Sequence, residues 1–87
     1  MTRHYSKKRI DIIHWNGSEW TETGFCWREI YADDAKPESV REWAWNAMIE
    51  DYNWLGQDAA ELGDPSDWMA IVTEEATKEE VSRFLLG

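Results

Sequence analysis

The sequence predicts an α+β fold with the order β-β-α-β-α: a three-stranded antiparallel sheet, a long helix packed on one face, and a short C-terminal helix. Three observations lead to this prediction. An Asn-Gly pair separates two runs rich in β-branched and aromatic residues, which is typical of a hairpin. Apolar residues recur at helical spacing between Pro37 and Gly56. A compact apolar run, WMAIVT, then follows a turn and is typical of a buried strand.

The length of 87 residues predicts a single domain, 1–87, that folds alone with a modest margin. Hydrophobic residues make up 43% of the chain, which is enough for a core. Residues 1–8 are polar and basic, so they are expected to form a flexible arm or an early edge strand.

The hairpin is predicted to pair residues 9–15 with residues 19–31. Its register has two solutions. A two-residue loop at Asn16-Gly17 places Ile13 opposite Trp20, whereas a four-residue loop places Trp15 opposite Trp20. Both are compatible with the same turn residues.

The second strand of the hairpin carries large apolar groups on both faces. Thr23-Gly24 interrupts it and indicates a bulge. Beyond the bulge, side chains alternate between two faces. One face has Phe25, Trp27 and Tyr31, and the other has Cys26, Arg28 and Ile30. Both faces are therefore expected to be covered.

The long helix is predicted to span residues 38–55. Pro37 suits a first helical position, the Ser39 to Glu42 segment has the pattern of an alternative capping box, and Gly56 is the stop signal. Asp51 falls within the main apolar stripe, and Arg28 is a candidate partner for its carboxylate.

The C-terminal third is predicted to contain a helical turn at 57–62, a strand at 68–73 and a final helix. The strand most simply lies beside the first strand and antiparallel to it. The segment from Thr77 to Glu80 has the pattern of a second capping box. Val81, Phe84 and Leu85 would then form one face of the final helix.

The seven Trp residues are well above ordinary usage for so short a chain. About five are expected in the core and one or two at an interface, because Trp is enriched at binding hot spots. Cys26 is the single cysteine, so no intrachain disulfide is expected, and a small core residue is the favoured interpretation. No signal peptide and no transmembrane run are recognised, which predicts a cytoplasmic protein, in the host cytoplasm if a phage encodes it.

No motif in the sequence predicts catalysis, a cofactor or a metal site. The five glycines are dispersed, so no phosphate-binding loop is present. His4 and His14 are isolated, and no nucleophile–base–orienter set is recognisable. The carboxylate pairs lack the twelve-residue calcium-loop pattern. The chain is therefore predicted not to be an enzyme.

Charge gives the main functional indication. The net charge is −9, and from Asp33 onward the acids are opposed only by Lys36, Arg41, Lys78 and Arg83. Such a surface repels nucleic acid and anionic membranes and attracts basic protein surfaces. The leading hypothesis is an inhibitor that occupies a basic, nucleic-acid-binding surface of another protein, such as a nuclease.

The predicted protein-binding site combines an acidic stripe with an apolar anchor. Glu38 and Glu42 are four apart on the helix, and Glu50 follows eight residues later. Asp33 and Asp34 precede the helix, and Trp45 and Ile49 lie outside the main apolar stripe as a neighbouring anchor. The structural alternative is that these are ordinary solvated acids.

In size and charge, though in no motif, the chain is similar to the small acidic inhibitors that phages make against host nucleases and CRISPR complexes. Such a likeness implies a nucleic-acid mimic. Two other functions fit the sequence. One is a regulatory or assembly subunit, monomeric or homodimeric, that uses a Trp-rich apolar patch. The other is a carbohydrate-binding module with Trp platforms, against which the lack of a secretion signal argues.

Overall fold

The computed structural model describes residues 4–87. Four strands form one antiparallel sheet in the order β2-β1-β3-β4, and one α-helix connects β2 to β3. Two short 3-10 helices, Ala59–Leu62 and Pro65–Asp67, lead into β3. The larger elements are β1 Tyr5–Trp15, β2 Trp20–Ala32, α1 Pro37–Trp54, β3 Trp68–Glu74 and β4 Glu80–Leu85.

The hairpin adopts the register with the four-residue loop. Trp15 lies opposite Trp20, with ring centroids 5.5 Å apart. Oδ1 of Asn16 accepts hydrogen bonds from the backbone N–H groups of Ser18 and Glu19, each at 2.9 Å. Asn16 thereby closes the loop as an Asx turn.

The predicted bulge at Thr23-Gly24 is present. The β1–β2 register shifts between Asp11 and Ile13, and Gly24 has a φ of 85°, a conformation that favours glycine. The hydroxyl of Thr23 donates to the carbonyl of Ile12 at 2.7 Å. The bulge therefore keeps part of the ladder bonding while it bends the long strand.

The core lies between the sheet and α1. Helix residues Val40, Ala44 and Met48 are buried. They pack in one cluster with strand residues that include Ile10 and Val72. The bounds of the helix agree with the predicted 38–55 to within one residue at each end.

Two local predictions for the helix are wrong. The helix begins at Pro37, as predicted, and its capping residue Lys36 makes no side-chain capping bond, so the alternative box at Ser39 to Glu42 does not form. Arg28 is not a partner of Asp51, because Arg28 lies on the sheet face opposite α1 and pairs with Glu75.

The predicted C-terminal helix is wrong, and with it the three-stranded sheet. Residues 80–85 form β4, which pairs antiparallel with β3. The hydroxyl of Thr77 accepts from the N–H of Glu79 in a turn, not at a helix start. A six-residue helix is marginal in water, whereas a strand of that length satisfies the free edge of β3.

β3 lies beside β1 and antiparallel to it, as predicted. β1 begins at Tyr5, so residues 5–8 are strand, and the part of the predicted arm at 1–3 lies outside the described residues. Within the described chain, no helix is both long and apolar enough to cross a membrane.

The expectation of about five core Trp residues is also wrong. Trp68 alone of the seven is buried; Trp15, Trp20, Trp43 and Trp54 are exposed. Cys26 is half-buried, on the sheet face opposite α1.

Candidate protein-binding surface

The two sides of the sheet differ in charge. Alternation along β1 and β2 places Arg9 and Arg28 on the face away from α1. Each has a carboxylate partner there: Arg9 pairs with Asp11 at 3.0 Å, and Arg28 with Glu75 at 3.4 Å. The helix side instead carries acids that are exposed, and the one arginine of α1, Arg41, donates to the carbonyl of Leu85.

Glu38, Glu42 and Glu50 form the centre of that acidic side. All three are exposed on α1. Among the described residues, none of the three side chains has a hydrogen-bond or ion-pair partner. At 1.5 Å rise per residue they span about 18 Å of helix. We call these three residues the acidic stripe.

Asp33 and Asp34 lie in the loop before α1 and are also exposed. Asp33 differs from the stripe because it is already engaged. Its Oδ1 lies 2.7 Å from the ammonium nitrogen of Lys8, and hydrogen bonds from Lys8 and then Ser6 lower the pKa of its carboxyl. A partner would therefore meet a carboxylate that is largely compensated.

Lys8 is the one buried charged side chain among the described residues, at 4% exposure. Its ammonium donates to Oγ of Ser6 at 2.6 Å, to Asp33 and to the carbonyl of Tyr31 at 3.3 Å. It also lies 4.7 Å from the centre of the Tyr31 ring. Because an ammonium has three donors, this set leaves none free for a ligand.

Burial, followed by the nearby charges of Glu74 and Asp33, raises the pKa of Tyr31 to about 12. A cavity of about 400 Å³ lies over this cluster. Its charged groups satisfy one another, which indicates a structural role: Lys8 ties the loop after β2 to the centre of the sheet.

The predicted anchor residues are less available than the acids. Trp45 and Ile49 are partly buried and pack against the core. Trp43 and Trp54 are more exposed, at 39% and 89%. They stand seven residues before and four residues after Glu50, so they lie on its side of the helix.

An apolar groove of about 250 Å³ runs between α1 and β2, beside the stripe. Val40 and Trp43 line it from the helix, and Ile30 and Tyr31 line it from the strand. The Trp43 ring is fixed edge-on against Trp27, with centroids 5.5 Å apart. The groove is large enough to receive one side chain of a partner.

Sequence reasoning missed Trp43 and Trp54 because helical spacing alone does not decide which side of a wide apolar arc meets the sheet. Trp43 fell inside the expected stripe, and Trp54 stands at the last helical residue. The spacing to Glu50 was the one signal that could have linked them to the acids.

Among the described residues, no group of three or more His, Cys, Asp or Glu side chains is arranged to hold a metal ion. The absence of catalysis and of a cofactor stays a prediction. Comparison of the chain with protein-family models, curated proteins and solved structures finds no match in any of the three.

Proposed function

We propose that this chain is a small acidic binding protein that occupies a basic surface of another protein, one that otherwise holds nucleic acid. The observation that carries the proposal is the acidic stripe: Glu38, Glu42 and Glu50 are exposed and uncompensated on one helix, whereas the cations Arg9, Arg28 and Arg83 on the other side are paired with acids.

The spacing of the stripe determines how many phosphates of a nucleic acid its carboxylates could replace. Its charges are about 6 Å and about 12 Å apart along the axis. One DNA strand carries a charge about every 3.4 Å. The stripe therefore replaces a few phosphates within one binding groove, and charge alone would give fast but weak association.

Apolar contact supplies the remaining affinity. Trp54 and Trp43 flank Glu50 and are exposed, and the groove beside Trp43 can take an apolar side chain of the partner. Buried Trp residues commonly act as hot spots at interfaces. We therefore propose that Trp43 and Trp54 are the apolar anchor. Trp45 and Ile49 pack against the core and support the helix beneath the stripe.

The experiment is capture on the immobilised protein from two fractions of a bacterial lysate, one that binds a DNA resin and one that flows through it. Specific capture should come from the DNA-binding fraction, weaken steeply with salt and be displaced by free duplex DNA. Equal capture from both fractions, insensitive to DNA, would contradict the proposal.

A matched pair of variants locates the contact. Glu42→Lys/Glu50→Lys reverses two stripe charges and should abolish the DNA-sensitive capture. Glu61→Lys/Glu79→Lys makes the same charge change at exposed positions outside α1 and the strands and should retain most of it. Equal loss in both variants would assign the capture to net charge and not to the stripe.

A further inference from the structure

The sheet has one covered face and one open face. On the covered face, Ile10 and Ile12 of β1 and Ala70 and Val72 of β3 are at most 2% exposed, because α1 packs over them. On the opposite face, no residue of β1 or β3 is buried. We call this second surface the open face.

One end of the open face is apolar. Ile13 pairs with Met69, Met69 with Leu85, and Trp15 with Trp20, so the side chains of all five lie on the same face. Trp15, Trp20 and Leu85 remain 37–38% exposed. We call these five residues the apolar cluster. Glu22, which pairs with Ile13, lies on the same face beside the cluster. Single exposed apolar residues are ordinary, but a contiguous exposed apolar patch marks an interaction surface.

The rest of the open face is nearly neutral. Arg9 is paired with Asp11 at 3.0 Å, and Arg83 with Glu80 at 2.7 Å. A basic partner is therefore attracted to the helix side and not to this face. A partner for the open face needs an apolar region to meet the apolar cluster and little net charge elsewhere, and a second open face has both properties.

The net charge of −9 also restricts how two copies of the chain can approach each other. Two copies that approach through their helix sides would bring uncompensated acids together. Contact through the open faces instead directs both acidic stripes outward, where repulsion between them is smallest.

The size of the face indicates a weak dimer. Four strands at about 4.8 Å spacing are about 19 Å wide, and the seven residues of β3 run about 23 Å. The flat area is on the order of 440 Å² per copy, before side-chain relief is counted. A standard interface buries about 800 Å² per partner, so a dimer through this face is of the weak or transient class.

We propose that two copies of this chain associate through their open faces, apolar cluster against apolar cluster, as two sheets packed face to face about 10 Å apart. The dimer presents an acidic stripe on each of its two outer sides. The inference does not depend on the proposed function, although it would make such a binder bivalent.

The test is sedimentation velocity over a concentration series of wild type, Leu85→Lys and Leu55→Lys. The wild type should reach the dimer mass. Leu85→Lys, within the cluster, should raise the dissociation constant about tenfold or more. Leu55→Lys is the matched control, because Leu55 is 68% exposed at the end of α1 and lies outside the open face; it should dimerise as wild type does.

Trp20→Lys gives a second disruption on a different strand, and circular dichroism checks that each variant keeps its fold. A wild type that stays monomeric up to about 1 mM would overturn the proposal. Equal weakening of the dimer by Leu55→Lys would also overturn it. So would normal dimerisation of both Leu85→Lys and Trp20→Lys when circular dichroism shows that the two variants are folded.

The single thiol reports which face is covered. Cys26 lies on the open face opposite Asp11 and is half-buried there. Its reaction with a thiol reagent should slow as the protein concentration passes through the dimerisation range. If the dimer forms and the Cys26 thiol still reacts at an unchanged rate, the dimer uses another face. Added salt should leave the dimer intact, in contrast to binding by the acidic stripe.

Discussion

The ammonium nitrogen of Lys8 lies 2.7 Å from Oδ1 of Asp33, although the Lys8 side chain is 5% exposed and that of Asp33 is 52% exposed. The pair joins a buried strand position to a surface loop. Lys8 therefore has a structural role, and Asp33 is less available to a partner than the three acids of the acidic stripe.

Lys8→Met should destabilise the fold by about 1–3 kcal/mol. The substitution keeps the aliphatic volume but removes the donor from the Ser6 hydroxyl and the Tyr31 carbonyl. Urea unfolding, followed by tryptophan fluorescence, measures the change. Asp33→Asn should cost less, because Asp33 is half exposed, and the double variant should cost less than the two singles together. Additive costs would show that the pair is not coupled.

Asp33 should contribute to loss of stability in acid. Its pKa in the folded protein is below the ordinary 3.8, chiefly because Lys8 donates to the carboxylate. The unfolded chain therefore binds the proton more tightly. The stabilisation is fully present above the unfolded pKa and is lost as the pH falls through the folded value.

The measurement for this prediction is the free energy of unfolding of wild type and Asp33→Asn over a pH series from neutrality to acid. The wild type should be the more stable near neutrality, and the difference should shrink in acid. A difference that stayed constant across the series would mean that the carboxylate does not titrate with folding.

Gly24→Ala should destabilise the protein by about 1 kcal/mol, because Gly24 holds a φ of 85° in the β2 bulge. A new Cβ there would meet no atom within 4 Å, so backbone strain is the cause and not a clash. Gly24→Asn is the control, since Asn tolerates positive φ better, and it should cost less. Thermal unfolding of the two variants checks the order; an equal cost would point to a different origin.

The sequence was sufficient to predict the first hairpin, the bulge, the long helix and the pairing of β3 with β1, because each has a local signal at Asn16, Gly24, Pro37 or the run from Trp68. β4 was not predictable in this way. Val81, Phe84 and Leu85 have helical spacing, and only the unpaired edge of β3 selects a strand. Nonlocal pairing overrode the local pattern.

The candidate site, like the fold, could be predicted from the sequence only where the signal is local. Helix spacing was sufficient to place Glu38 and Glu42 about 40° apart around the helix and Glu50 about 80° further round, on the side away from the buried residues. It did not show that Lys8 engages Asp33, because the two are brought together only by the sheet. Nor did it distinguish exposed Trp54 from half-buried Trp45.

The central claim is that the acidic stripe takes the place of nucleic acid on a basic protein surface. Its most direct test is competition: a protein captured from the DNA-binding fraction is loaded with labelled duplex DNA and titrated with wild type, Glu42→Lys/Glu50→Lys and the control Glu61→Lys/Glu79→Lys. Wild type and the control variant should release the DNA as they bind, and the stripe variant should not. A ternary complex that holds both DNA and the wild-type chain would contradict the account.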